Sequence, residues 1–459
     1  MRKGCIFEPS SDIINKLGKV VADSRMWRTS GVNPERVGDR KGKPKFFYGY
    51  VVAAAGLGIF LIGVGTQSPI FGVFFKPMLT EFGWTRAETA LAYALLLIVQ
   101  AAPAVTMGWL TDRFGPRIVV TVFGSFLGIC YLLMSQINTI WQFQLNYALV
   151  GGIGMSALIV PVMATVARWF VKRRGLMTGI VQTGVGLSGL IFAPLAGWLI
   201  LLYGWRSSYI ILGIIILAGI IISGLFLRRD PKDIGQLPDG ASEITTSGVN
   251  RQSPNSREAG LPLLEAIRTS QFWMIAGLYF CFGFNRSTFL AHIAAHVQDL
   301  GFSLADGANV LAACTGASII GRIGMGRAAD MIGNRLALII GYAATTIVLI
   351  WGLVAEDLWG LFLFALVFGF GWGTQAVLRF AVTAEAFGLV SLGVVMGVLM
   401  LAEASAAGLG TYFGGYIFDV VGSYQPIFFM GIALSSIAML LVWLLKPATK
   451  RGITQEEGL

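Results

Sequence analysis

Seven stretches of this chain, residues 46–75, 89–111, 118–167, 175–205, 207–227, 336–355 and 420–445, contain no Asp, Glu, Lys or Arg. A helix needs about 20 predominantly apolar residues to cross the hydrocarbon core of a bilayer. Each stretch reaches that length, and 118–167 has room for two crossings. The composition agrees: 55% of residues are hydrophobic and only 13% are charged, where a soluble domain has roughly a quarter charged. Adding the less clean stretches 270–298, 303–327, 358–384 and 389–415 predicts twelve helices. They fall near 47–75, 86–109, 117–135, 141–168, 174–200, 206–227, 270–298, 303–327, 335–354, 358–384, 389–415 and 424–446. The expected fold class is an all-α integral membrane protein.

Basic residues predict the orientation. The tail before residue 46 holds eleven Lys and Arg. Further clusters follow alternate helices: Arg113 and Arg117; Arg168, Lys172, Arg173 and Arg174; Arg228 to Arg268; Arg327 and Arg335; Lys446, Lys450 and Arg451. The opposite loops carry only Lys76, Arg86 and Arg206. Both termini are therefore expected in the cytoplasm of a cell (inner or plasma) membrane protein. The formal charge of +10 is a topology signal, set beside anionic lipid, and no nucleic-acid partner is expected. The predicted organisation is a basic cytoplasmic tail (1–45), a six-helix bundle (46–227), a flexible cytoplasmic linker (228–268), a second six-helix bundle (269–446) and a C-terminal tail (447–459). Within the first tail, Ile13, Ile14, Leu17, Val20 and Val21 share one helical face, as in a short helix on the inner leaflet. Four scattered cysteines (Cys5, Cys130, Cys281, Cys314) offer neither metal-ligand spacing nor a disulfide framework, and no cofactor or metal is expected.

The two bundles are related by a repeat. Gly108–Arg117 reads GWLTDRFGPR, and 218 residues later Gly326–Arg335 reads GRAADMIGNR. Gly108, Asp112, Gly115 and Arg117 recur as Gly326, Asp330, Gly333 and Arg335. The same register pairs Glu81–Glu88 with Asp299–Asp306, Trp141 with Trp359, Gly175 with Gly393, Gly179 with Gly397, Gly197 with Gly415, and Gly204 with Gly422. Parallel internal repeats in a hydrophobic chain are a transporter-like layout with a site at the seam. Glycines at the turn permit a tight bend, Pro116 suits a first helical turn, and Asp112 with Arg113 and Arg117 makes a charged latch.

GWLTDRFGPR resembles the loop between helices 2 and 3 of the major facilitator superfamily, and the second copy resembles the loop between helices 8 and 9. FGVFFKP (Phe71–Pro77), RWFVKRRGL (Arg168–Leu176) and GWRSSYIILG (Gly204–Gly213) are similar to the monocarboxylate transporters and their bacterial relatives, including oxalate–formate antiporters. The resemblance implies two rocking six-helix halves with no enzymatic activity. It also implies an inner latch whose Asp112 and Asp330 meet the opposite half when the cytoplasmic side is closed. The expected function is secondary transport of a small organic anion, a monocarboxylate, by proton symport or anion exchange. Its partners would be the carboxylate, protons or a counter-anion, and membrane lipid; the protein is expected to be a monomer. The same fold carrying a sugar, another anion or a drug remains the alternative, as does a non-transporting nutrient sensor.

Charges inside the membrane mark the candidate site, because a midplane arginine costs about 2.5 kcal/mol or more unless paired or hydrated. They are Arg286, Arg322, Arg379 and Glu403. Arg322, in SIIGRIGMG, aligns with the helix-8 arginine that the resemblance assigns to the substrate carboxylate, and a guanidinium fork matches two carboxylate oxygens. Animal members of that family carry an aspartate four residues earlier, where this chain has Ser318. Ser318 is expected beside the substrate, and proton coupling must use other groups. Arg379 is expected either to bind substrate or to snorkel toward the inner interface, and Arg286 to pair with Glu403. Asn285, His292 and His296 share a helical face. His292 resembles a histidine of bacterial monocarboxylate transporters and is expected to touch substrate or carry a proton. His292, Glu403 and Arg286 are thus the proton-coupling candidates. Lys76 resembles an outer lysine that attracts the anion, Tyr147 and Gln182 are expected polar lining, and Thr66–Pro69 marks a helix break. Arg322, Glu403, His292 and Arg379 face Ala104, Val185, Phe74 and Pro161 across the repeat, which confines the expected chemistry to the second half.

Overall fold

Backbone conformation repeats at the same 218-residue spacing as the sequence. In the computed structural model, which describes residues 46–101, 103–170, 173–239, 263–387 and 392–445, seven glycines have positive φ. Six of them form three repeat pairs: Gly83 and Gly301 (67° and 93°), Gly115 and Gly333 (84° and 87°), Gly204 and Gly422 (73° and 75°). At Gly115 and Gly333 ψ is also large, 157° and 146°, a region essentially closed to residues with a Cβ. The latch glycines thus set the turn into the next helix.

All twelve predicted stretches are helical. They are α1 (Gly49–Phe82, with a tight turn at Val64–Thr66), α2 (Arg86–Ala101 and Ala104–Phe114), α3 (Pro116–Met134) and α4 (Ile140–Trp169). The run Arg174–Leu225 is broken at Gly204 into α5 (174–203) and α6 (205–225). The second half comprises α7 (Ser270–Asp299), α8 (Leu304–Ile332), α9 (Asn334–Gly352), α10 (Leu358–Phe387), α11 (Leu392–Val421) and α12 (Gln425–Leu444). Nine helical spans among the described residues are long and apolar enough to cross a membrane, one of them the broken run. Their outer surfaces expose Trp109, Leu201, Ile222, Ile347, Trp443 and many other apolar side chains, a surface suited to lipid and not to water. Equivalent capping boxes start α2 and α8: Thr85 with Glu88, and Ser303 with Asp306. Those carboxylates satisfy free N-terminal N–H groups, which explains why they repeat.

The halves meet chiefly along three helix pairs, α1 with α7, α2 with α11, and α5 with α8, with a smaller contact of α1 with α8. The repeated Gly197 and Gly415 have equivalent duties there. A Cβ on Gly197 would lie 3.0 Å from that of Ala308 on α8, and one on Gly415 would lie 2.6 Å from the Arg86 carbonyl on α2.

The linker departs from expectation. Residues 228–239 are docked, not free: the Trp169 indole donates to the Arg228 carbonyl (2.9 Å), the Asp239 N–H to the Trp169 carbonyl (3.1 Å), and the Tyr48 N–H to Gln236 Oε1 (3.0 Å). Asp230 and Asp233 cap a short turn, Pro231–Ile234. Sequence composition registered the turn residues but not their partners at the ends of α1 and α4. The predicted helix at Ile13–Val21, most of the linker and the C-terminal tail lie outside the described residues.

Candidate functional site at the seam

Four membrane-interior charges gather on the second half. Glu403 on α11 bridges two arginines: its Oε2 accepts from Arg379 on α10 at 3.0 Å, and its Oε1 lies 4.0 Å from Arg286 on α7. Arg379 is 6% exposed, with its guanidinium 3.7 Å from the Phe282 ring centre and near Tyr279 and Phe380. Its guanidinium is thus enclosed by Glu403 and aromatic rings. The Arg286–Glu403 pairing is present but is the looser of the two. Gly283 makes the arrangement possible, because any Cβ there would collide with the Glu403 carbonyl and hold α7 away from α11.

Arg322 completes the cluster from α8. It lies in a widened turn, Gly321–Met325, and such turns alter the direction in which side chains leave a helix and recur at functional sites. Its Nη1 donates across the seam to the Gln182 carbonyl on α5 (2.8 Å), and its guanidinium lies 5.3 Å from the Trp372 ring centre. It feels the charges of Arg379 and Arg286. Gln182 therefore contributes through its backbone. Among the described residues, Arg286 and Arg379 share the one carboxylate of Glu403, and Arg322 has no carboxylate partner. Arg322 Nε, Arg286 Nε, Arg379 Nε and Arg379 Nη1 are buried donors with no protein acceptor. Unsatisfied buried donors are costly, and an anion would satisfy them.

Facing this cluster, the first half offers hydroxyls and rings. Tyr147 sits in a second widened turn, Asn146–Gly151, stacks with Phe71 and Phe143, and donates to the Gln67 carbonyl at 3.4 Å. Gln67 follows the tight turn in α1, close to the predicted break at Thr66–Pro69. Tyr93 pairs with Ser68 and feels the Arg286 charge.

Three expected members have partners of their own. Ser318 is fully buried and donates to the Thr315 carbonyl (2.6 Å), so its hydroxyl is committed within α8. His292 is buried against the end remote from the basic loops: its ring nitrogens meet the Thr411 carbonyl (2.9 Å) and the Tyr424 hydroxyl (3.2 Å). Neither Arg322 nor Ser318 is among its partners. His292, His296 and Tyr424 border a cavity of about 10 Å³, room for one water and too small for a carboxylate. Lys76 is not a free lure but pairs with Asp299 at 2.7 Å. His292 stands six residues beyond Arg286 on α7, about 9 Å further along the helix axis, which places it toward the closed end with Thr411 and Tyr424.

That end is closed by the second half gripping the first. Asp299 also takes Arg86 (2.6 Å), Asp419 accepts the backbone N–H groups of Arg86 and Ala87 (3.0 and 2.7 Å), and Tyr424 accepts from Arg86 (2.5 Å). The Arg86 guanidinium lies 3.6 Å from the Phe418 ring centre. At the basic end, the latch helices 104–114 and 326–332 pack against their own halves. Asp112 binds Arg168 on α4 of the same half at 2.5 Å, and Asp330 has no ion pair among the described residues. Arg113 lies over Trp109 and Phe114, while Arg335 donates to the Val442 carbonyl (2.9 Å). The predicted cross-half meeting of the latch aspartates is not made in this conformation.

A six-plus-six helical repeat with its charges at the seam agrees with the family comparison: residues 55–350 and 275–458 match the family model described as Major Facilitator Superfamily. The chain belongs to the major facilitator superfamily. It is similar to monocarboxylate transporter 13 of Bos taurus, 28% identical over 364 residues that cover 78% of this chain and 80% of the relative. Monocarboxylate transporter 11 of Homo sapiens is 28% identical over 409 residues, covering 86% and 82%. The fold matches the crystal structure of a bacterial homologue of the human lysosomal transporter Spinster, solved inward-facing and unoccupied. That match has a TM-score of 0.62 at 16% identity and covers 88% of this chain and 96% of the other. This major facilitator protein is a multi-pass membrane transporter of a small solute, not an enzyme.

Proposed function

We propose that this transporter carries a small organic anion, a monocarboxylate, across the membrane by alternating access, with Arg322 as the carboxylate anchor. One observation carries the reading: Arg322 has no carboxylate partner, while Arg286 and Arg379 share only Glu403, and buried guanidinium N–H groups on all three are left to satisfy. A cation or a neutral sugar leaves that charge in place, whereas a carboxylate offsets it with the matching two-oxygen geometry. The names of the monocarboxylate transporters that it resembles support the same class.

Arg322 suits the anchor role because its guanidinium bonds to the opposite half at the Gln182 carbonyl. An anion bound there touches the seam along which the halves rock. With the basic loops cytoplasmic, the closed end is extracellular and this conformation opens inward. The absence of an aspartate at Ser318 removes one route to proton coupling, and Glu403 remains as the membrane-interior carboxylate.

The test is uptake by reconstituted protein together with a thermal-shift screen against small carboxylates, since specific binding raises apparent stability. Arg322→Ala is expected to abolish uptake and the ligand-induced shift while leaving the unliganded melting profile intact. Uptake near the wild-type rate would sink the proposal. Imposing a pH gradient on the same vesicles separates proton symport from anion exchange.

A further inference from the structure

We propose that Glu403 is a built-in carboxylate occupying the second of two anion subsites, and that it thereby selects substrates with one carboxylate over substrates with two. The inference rests on the reading of the seam as a carboxylate site.

The three arginines do not form one site. Arg322 stands on α8 and is engaged only by a backbone carbonyl from α5. Arg286 and Arg379, on α7 and α10, flank a separate position. The Glu403 carboxylate sits there as a bound anion would, one oxygen 3.0 Å from Arg379 and the other 4.0 Å from Arg286. Its side chain is 14% exposed, and α11 is held against α7 at this level by Gly283, where no larger residue fits. Glu403 therefore cannot be displaced by sliding the helices apart without losing that packing. A monocarboxylate on Arg322 needs nothing from the second position. A dicarboxylate would have to bring its other carboxylate to the same two guanidiniums beside Glu403, and like charges brought together are strongly disfavoured. Neutralising Glu403 removes the negative charge from the second subsite, and the charges of Arg286 and Arg379 are then left for a substrate carboxylate. A purely structural tie makes a different prediction, namely lower stability with unchanged selectivity.

The experiment compares propionate with succinate, one and two carboxylates, by titration calorimetry on the purified full-length protein and by competition for uptake. Wild-type protein is expected to favour propionate by at least tenfold. Glu403→Gln, which keeps the shape and a hydrogen-bonding oxygen for Arg379, should change the propionate-to-succinate ratio by at least tenfold toward succinate. Equal binding of both acids by the wild type overturns the proposal, and does so whether or not the variant folds. So does an unchanged ratio in a folded Glu403→Gln protein. If wild-type protein binds neither acid nor any other small carboxylate, the carboxylate reading itself fails and this inference goes with it. Wild-type selectivity that the variant retains overturns the role of Glu403 alone.

Discussion

The charged residues at the two ends of the molecule bond differently, across the halves at one end and within a half at the other. At the end remote from the basic loops, Asp299 and Asp419 reach from the second half to Lys76, Arg86 and the first N–H groups of α2. At the basic end, Asp112 stays with Arg168 in its own half. The contrast follows the repeat. Asp112 and Asp330 occur in both halves and belong to turns that both halves need. Across the repeat, Asp419 faces Leu201, Arg86 faces Leu304 and Tyr424 faces Arg206. The latch residues that repeat bond within each half, whereas Asp419, Arg86 and Tyr424, which do not repeat, join the halves with Asp299. An end closed by unsymmetrical bonds can open without disturbing either bundle.

The strongest way to break this comparison is a wedge at the closed end. Gly415→Leu places a side chain against the Arg86 carbonyl and the Ala87 nitrogen. Overpacking of this kind costs about 1–3 kcal/mol and should shift the population away from the closed end roughly 5- to 150-fold. Spin-label distances across that end are the readout, and an unchanged distribution refutes the assignment of Gly415 to the closure. Removing the central cation should do less. Arg86→Ala loses the Asp299 pair, the Tyr424 hydrogen bond and the Phe418 ring contact. A partly desolvated cation–ring contact contributes about 1–2 kcal/mol, so opening should increase roughly tenfold on the same labels. Arg86→Lys restores charge without the planar contact and should recover only part of the loss. The smallest effect belongs to the basic end. Asp112 is 61% exposed and bonded within its half, so Asp112→Asn should leave the melting temperature and the label distances of this state unchanged. The proposal that Asp112 meets the other half in the opposite conformation predicts that uptake still slows. A large fall in stability would show that Asp112 already acts here.

Much of the architecture was legible because it is local. Uncharged length gave the helices, and Gly115, Gly333, Gly204 and Gly422 gave turns whose positive φ the backbone realises. The repeated Glu88 and Asp306 are read directly as helix starts once Thr85 and Ser303 are seen three residues earlier. The site was legible as a set of residues but not as a set of partners. Arg286, Arg322, Arg379 and Glu403 stand out because charge inside a membrane is rare. Yet Arg379, not Arg286, holds Glu403 most closely, His292 bonds Thr411 and Tyr424, and the Ser318 hydroxyl donates within α8. Asp419 was missed although the same test of asymmetry, a carboxylate facing Leu201, would have marked it.

What the sequence determined by itself was the membrane-spanning helical class, the twofold repeat, the turns and the confinement of interior charge to the second half. Each depends on a residue and its near neighbours along the chain: hydrophobic length, capping pairs, glycine at positive φ. What only the tertiary structure decided was which charges meet. Lys76 with Asp299, Arg86 with Tyr424, Arg322 with the Gln182 carbonyl and Arg379 with Glu403 join helices far apart in sequence. Those pairings depend on the rotation and depth of each helix against its neighbours, and packing of small residues such as Gly283 and Gly415 fixes both.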